Sequence, residues 1–280
     1  MPNHKSNLSD EDFGYFLAGL IEGDGWFGKK QLHVIFAEGD ASLAYYIKKK
    51  IGYGNVYKIK SKKAVRYICK HNLGISKILS LINGKMVSKY KYNQLINHHY
   101  PEDFNVTIQP PLNLLSLDNY WLAGFTQAEG CFHISVVKSK THKTGYSVRL
   151  EYSLKQNDDL PLKLLYGVLK MGNLSKYGTN IWCYKSSGFK TAANLINYFD
   201  KYNLFAEKYK DYLFSALQNL INIHEQGISA LGDEFMCLAS EIGGEKGLRS
   251  DRILEFVQDV KKSFEYEQRT VIEIEKEAEK

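Results

Sequence analysis

LAGLIEGDG, residues Leu17 to Gly25, and LAGFTQAEG, residues Leu122 to Gly130, are two versions of one phrase. Each is an apolar stretch with two small residues that runs into a carboxylate and then a glycine. Asp24 and Glu129 stand 105 positions apart, and the repetition continues in order downstream. IGYGNVYKIK (51–60) is echoed by LKMGNLSKYG (169–178), and SKYKYNQL (88–95) by EKYKDYLF (207–214). Three landmarks in one order mark a duplicated domain. Between the copies, residues 97–119 hold Pro101, Pro110 and Pro111 and no sustained periodicity, which reads as a linker. The chain therefore divides into an N-terminal repeat (1–96), a linker (97–117), a C-terminal repeat (118–223) and a helical extension (224–280).

Within each repeat the apolar spacing alternates between helical and strand periods. Ser9 precedes an acidic first turn, Asp10 to Asp12, and Ser116 or Asp118 takes that capping part in the second copy. A strand pair follows. In the second copy Phe132, Ile134 and Val136 fall on one face, His133 and Ser135 on the other. Its return strand alternates Val148, Leu150, Tyr152 and Leu154 with Arg149, Glu151 and Ser153. A helix (42–51; 160–171), a second hairpin (55–70; 173–185) and two further helices complete the unit. The fold class is α+β, an αββαββα pattern used twice, with antiparallel sheets covered by helices on one face and open on the other.

Charge is divided as sharply as the fold. Residues 1–223 carry 29 Lys and Arg against 17 Asp and Glu, whereas residues 224–280 carry 8 against 14. A basic, tyrosine-rich body suits a polyanion. Lys58, Lys60, Arg66 and Lys70 fall on alternating positions of the second hairpin, and Lys176 and Lys185 lie in its counterpart. With His133, Ser135, Lys138, Arg149, Glu151 and Ser153 they make the candidate DNA-binding set, because a β-ribbon fits the major groove and phosphates attract cations. No apolar run reaches the roughly 18 residues of a membrane span. The first residues lack the apolar core of a secretion signal. Four cysteines without a CxxC pair read as small buried hydrophobes.

The repeated phrase also carries chemistry. Gly19 and Gly124 remove side-chain bulk, so two such helices can approach closely, and Gly25 and Gly130 suit helix ends. Asp24 and Glu129 then meet at two helix C-termini, where the helix dipole and their mutual repulsion both oppose ionisation. A hard divalent cation such as Mg²⁺ relieves both, and with phosphate oxygens and water such a site supports phosphodiester hydrolysis.

The doubled phrase and the αββαββα repeat, over residues 10 to about 223, resemble the LAGLIDADG homing endonucleases of the single-chain, double-motif kind. The resemblance implies a monomeric saddle of two pseudo-symmetric halves on a long, asymmetric double-stranded DNA target. It also implies that both strands are cut across the minor groove to leave short 3′ overhangs. In that family the eighth motif position carries the metal-binding acid, here Asp24 and Glu129, and the residue before it, here Gly23 and Ala128, offers its carbonyl. A lysine ahead of the late helix, here Lys89 and Lys208, supports the hydrolytic water or the developing charge. A polar residue after the first hairpin, often Gln, is matched by Gln156 and, in the first copy, by Glu38.

Two alternatives accompany this reading: an RNA maturase acting on its host intron RNA, and a DNA-binding regulator without chemistry. Retention of both acids and both lysines speaks against the second. The Lys-, Asn-, Ile- and Tyr-rich composition suggests an AT-rich genome and, with the family's habit, an organellar gene, mitochondrial or plastid. Asp24 to Glu38 spans 14 residues, whereas Glu129 to Gln156 spans 27. The first hairpin of the N-terminal copy is thus 13 residues shorter and is expected to make fewer base contacts. The extension shows helical spacing at Ile253, Phe256, Val257, Val260 and Phe264.

Overall fold

The structure, a computed structural model, describes residues 7–113, 116–138, 140, 146–206 and 208–212; of residues 134–138, 146–148, 189 and 190 it gives the backbone alone. One compact unit joins Met1–His133 to Arg149–Tyr212, so the motifs of both repeats lie within it. The extension beyond residue 223 lies outside the described residues.

The first repeat runs α1 (Asp10–Asp24), β1 (Gly25–Gly28), β2 (Gln31–Ala37), α2 (Ala41–Ile51), β3 (Asn55–Ile59), β4 (Ala64–Cys69), α3 (Asn72–Ile82), α4 (Lys89–Asn97) and a short α5 (Tyr100–Phe104). The second runs α6 (Trp121–Glu129), β5 (Gly130–Lys138), β6 (Tyr146–Gln156), α7 (Asp159–Leu169), β7 (Asn173–Tyr177), β8 (Ile181–Ser187) and α8 (Phe189–Lys201). The αββαββα order appears twice. Each repeat forms one four-stranded sheet, ordered β1-β2-β4-β3 and β5-β6-β8-β7.

Local signals explain most of these boundaries. Ser9 Oγ accepts from Asp12 N at 3.1 Å, and three acids in the first turn suit the positive end of α1. In the second repeat neither Ser116 nor Asp118 caps α6. The N-cap position is Tyr120, which offers no side-chain cap, because α6 starts later than the sequence pattern suggested; Asn119 Oδ1, one residue further out, accepts from Trp121 N at 2.9 Å. Phe13, Phe16, Leu17 and Ile21 of α1 and Leu122 and Phe125 of α6 are fully buried, each contributing about 1.5–3 kcal/mol by leaving water. Along β6 the expected alternation holds: Leu150, Tyr152 and Leu154 are buried, Arg149 exposed, and Glu151 and Ser153 half-buried.

Sheet register corrects the proposed basic face. Trp26 lies opposite His33, His33 opposite Ile68, Ile35 opposite Arg66, and Arg66 opposite Tyr57. These residues share the open face, on which Trp26, Ile35 and Tyr57 are exposed. Lys58 pairs with Val65 and so takes the parity of the helix-covered face, while Lys60 falls in the turn after β3. Of the four expected cations, Arg66 and, just past the end of β4, Lys70 keep the open-face parity. The second sheet behaves alike. Ser153 pairs with Lys185, and Glu151 is two residues away on the same face, its carboxylate 2.9 Å from Lys185 Nζ. Lys176 pairs with Trp182 and has the opposite parity. Ser135 and Lys138 lie in β5, but their side chains are outside the described residues.

The segment expected to be a bare linker also does structural work. Tyr100 is fully buried, and its hydroxyl accepts from Gln31 N at 2.9 Å and lies 2.8 Å from the carbonyl of Gly28. It thereby fastens the tight β1–β2 turn, where Lys30 sits in the left-handed region at φ 53°. That hairpin pairs strands of 4 and 7 residues, against 9 and 11 for β5 and β6.

Candidate active site

The site is built on a seam between α1 and α6. An ideal Cβ at Gly19 would lie 2.1 Å from the Trp121 carbonyl oxygen, and one at Gly124 would lie 1.9 Å from that of Phe16. Backbone meets backbone here, closer than any side chain permits. Further along, a Cβ at Gly23 would fall 2.3 Å from Ala128 Cβ and 3.1 Å from Glu129 Cγ, so the two motif ends converge. Gly25 and Gly130 were expected as helix-stop glycines. Their backbones are extended, at φ −85° and −77°, so left-handed freedom is not what the position needs. Glycine is required because the chain turns straight from helix into strand: a Cβ at Gly130 would sit 2.5 Å from Thr126 O.

The acids at this junction are held near neutrality. The protein shell around Asp24 pushes its pKa up to about 6, opposed by the charges of Lys208 and Lys91 and reinforced by Asp40. Burial pushes Glu129 up to about 7; the Asp24 charge adds to the rise, and Lys91 and Lys208 oppose it. Gln156 Nε2 lies 3.4 Å from Glu129 Oε1 and donates to the carbonyl of Glu22 at 3.3 Å.

Two lysine amines flank the acids, Lys91 buried and Lys208 half-buried. Lys208 Nζ donates to Gly130 O at 2.5 Å. Its counterpart is Lys91, whose amine donates to Gly25 O and whose pKa burial pushes down while Glu22, Asp24 and Glu129 pull it up. The structure therefore corrects the proposed position in the first repeat. Lys89 is exposed at the first position of α4, and Lys91 faces inward two residues later. Ser88 caps the helix, and that start sets which of the two lysines turns toward the acids.

A family model described as LAGLIDADG endonuclease matches residues 122–216. The "uncharacterized cox1 intron-2 37.2 kDa protein" of Schizosaccharomyces pombe is 38% identical over 243 residues, covering 82% of this chain and 74% of that one. The chain belongs to the LAGLIDADG endonuclease family. A second member, "probable intron-encoded endonuclease 4" of Neurospora crassa, is 30% identical over 226 residues, spanning 73% of this chain and 39% of that longer protein. In fold, the LAGLIDADG meganuclease I-AabMI bound to uncleaved DNA superposes with a TM-score of 0.66 at 24% identity, over 82% of this chain and 98% of that one.

Within the family frame the remaining candidates sort themselves. Gly23, Ala128, Asp24, Glu129, Gln156 and Lys208 come together. Glu38 does not join them: it sits in a 3-10 turn, and its carboxylate is 2.5 Å from Lys58 Nζ. Glu22, a motif residue not singled out from the sequence, is buried with both oxygens bonded, and Asp40, at the head of α2, adds negative charge near Asp24.

The donor set fits a hard cation. Two converging carboxylates, each disfavoured as an anion, gain by facing a divalent ion. Among the described residues no three His, Cys, Asp or Glu cluster as a metal site, so carbonyls, water or phosphate would have to complete the shell of a bound ion. The electrostatics also fix the sign of a stability effect. The folded state raises Asp24, Glu22 and Glu129 from ordinary values of 3.8, 4.5 and 4.5 to about 6, 7 and 7. Between those limits the fold binds more protons than the unfolded chain, so this stabilisation is lost as pH rises through 6 to 7. Metal-free protein should melt higher at pH 6 than at pH 8, and a divalent cation should narrow the gap. A thermal scan in chelator and in magnesium at both pH values checks this.

Proposed function

We propose that this chain is a site-specific homing endonuclease that makes a double-strand break in a long, asymmetric DNA target. It acts as a monomer, and Asp24 and Glu129 are its Mg²⁺ ligands. The observation that supports this most directly is the convergence of the two motif acids at a glycine seam, each flanked by a lysine that donates to the next carbonyl. Gly23 and Ala128 would add their carbonyls. When bound, the cation would lower the pKa of water and neutralise the leaving oxygen. Lys91 and Lys208 stabilise charge developing on the phosphate, and Gln156 orients the polar groups beside Glu129.

The open sheet faces carry the DNA. Arg66 and Lys70 in the first repeat, and His133, Arg149, Ser153 and Lys185 in the second, contact phosphates or groove edges. The short β1–β2 hairpin leaves the first half with fewer base contacts. A relative named for a cox1 intron supports intron homing and a mitochondrial origin. The test is incubation of the full chain with a library of duplex sites and Mg²⁺, followed by sequencing of cut ends. Binding without cutting would refute the endonuclease and favour action on host intron RNA.

The lysine assignment gives a sharp contrast. Lys91→Met is expected to slow cleavage about a hundredfold, the scale of a lost charge-stabilising donor. Lys89→Met should change it less than about threefold, since exposed groups contribute little. Single-turnover rates on one cleaved site decide between them.

A further inference from the structure

Glu22 lies outside the proposed catalytic set, yet both of its oxygens are bonded and it accepts from three N–H donors. Its Oε1 accepts from Val87 N at 2.6 Å and Ser88 N at 2.5 Å, and its Oε2 accepts from the Trp121 indole at 2.6 Å. One side chain thus ties the end of α1 to the start of α4 and to the first residue of α6. Ser88 Oγ in turn lies 2.7 Å from Asp158 Oδ2, at the head of α7. Lys91 stands three residues beyond Ser88, its amine on Gly25 O.

The second repeat lacks this arrangement. Gln127, at the motif position matching Glu22, accepts from Phe205 N at 2.9 Å, as Glu22 does from Ser88 N. Phe16 occupies the place of Trp121 and has no polar hydrogen, and Gln127 Nε2 is buried without a partner. The bond between a motif side chain and the facing helix's first aromatic residue therefore exists for Glu22 and Trp121 and has no counterpart at Gln127 and Phe16.

We propose that Glu22 is a positioning residue that sets Lys91 against Asp24, so that its loss impairs the first repeat's half of the site more than the second's. This rests on the endonuclease reading for its kinetic consequence. Glu22→Gln keeps the shape but turns an N–H toward a backbone or indole donor. Cleavage of one strand should slow by about tenfold or more, as expected when a reacting group is displaced, while the other changes less than about threefold. Nicked duplex would accumulate. Glu22→Gln with Trp121→Phe copies the Gln127–Phe16 pair and should restore balanced cutting.

The readouts are strand-resolved cleavage of doubly end-labelled duplex and NMR of ¹⁵N-labelled lysine amines in the metal-free chain. In Glu22→Gln the Lys91 signal should move and that of Lys208 should not. Should Glu22→Gln fail to fold, Ser88→Ala loosens the same helix start and should slow the same strand. Equal slowing of both strands, or no slowing, overturns the proposal. A wild-type chain that cuts neither strand refutes the endonuclease reading instead. The amine signals then decide, and an unmoved Lys91 overturns the positioning role as well.

Discussion

Asp24→Asn and Glu129→Gln, made singly, are each expected to lower DNA cleavage by about a thousandfold while target binding persists. Each change is nearly isosteric, so the seam beneath it is untouched; what disappears is one of two anionic oxygen ligands. Losing several kcal/mol of transition-state stabilisation corresponds to that factor, at about 1.4 kcal/mol per decade. Removing a carboxylate that the fold already disfavours as an anion should also leave the metal-free protein as stable as before, or more so. Cleavage kinetics beside a gel-shift titration in calcium separate chemistry from binding. If both variants cut at wild-type rates, the proposed ligand pair is wrong.

The largest stability effect is expected at the seam. Gly124→Ala places a methyl group 1.9 Å from the Phe16 carbonyl oxygen, and neither atom can swing away, since the Cβ is fixed on its Cα and the oxygen belongs to helix backbone. The helices must part, which costs about 3 kcal/mol or more by the standard of overpacked cores, against a gain of about 1 kcal/mol from replacing glycine in a helix. Gly167→Ala is the matching control. It also lies within a helix, in the last turn of α7, but a Cβ there meets nothing within 4 Å. It should stabilise by about 0.5–1 kcal/mol. Urea denaturation of the two variants should therefore shift in opposite directions. Because the acids sit at the far ends of the same helices, Gly124→Ala should also slow cleavage.

Much of this was legible in the sequence, for physical reasons that differ residue by residue. The two motifs could be recognised because close helix contact tolerates so few residue types that both copies kept them. Strand alternation in β6 was readable because one face is buried and a period of two leaves a plain trace. Lys91 was not readable. SKYK offers lysines two residues apart, and only the helix start at Ser88 fixes which one points inward. Lys58 and Lys176 were misplaced for a related reason: hairpin register, set by the turns that follow β3 and β7, decides the face. Glu22 gave no signal at all, because its partners Val87, Ser88 and Trp121 are distant in sequence and two of them contribute only backbone.

The seam has a consequence for how such a chain changes over generations. Where two motif helices meet through bare main chain, little lettering along that line records the identity of the mate. Each half is free to acquire a new DNA preference without renegotiating the junction, and halves from different relatives should join into working hybrids. Here one key must travel with the lock: a foreign C-terminal half needs an indole donor at its first motif helix, or the buried acid of its host is left facing nothing.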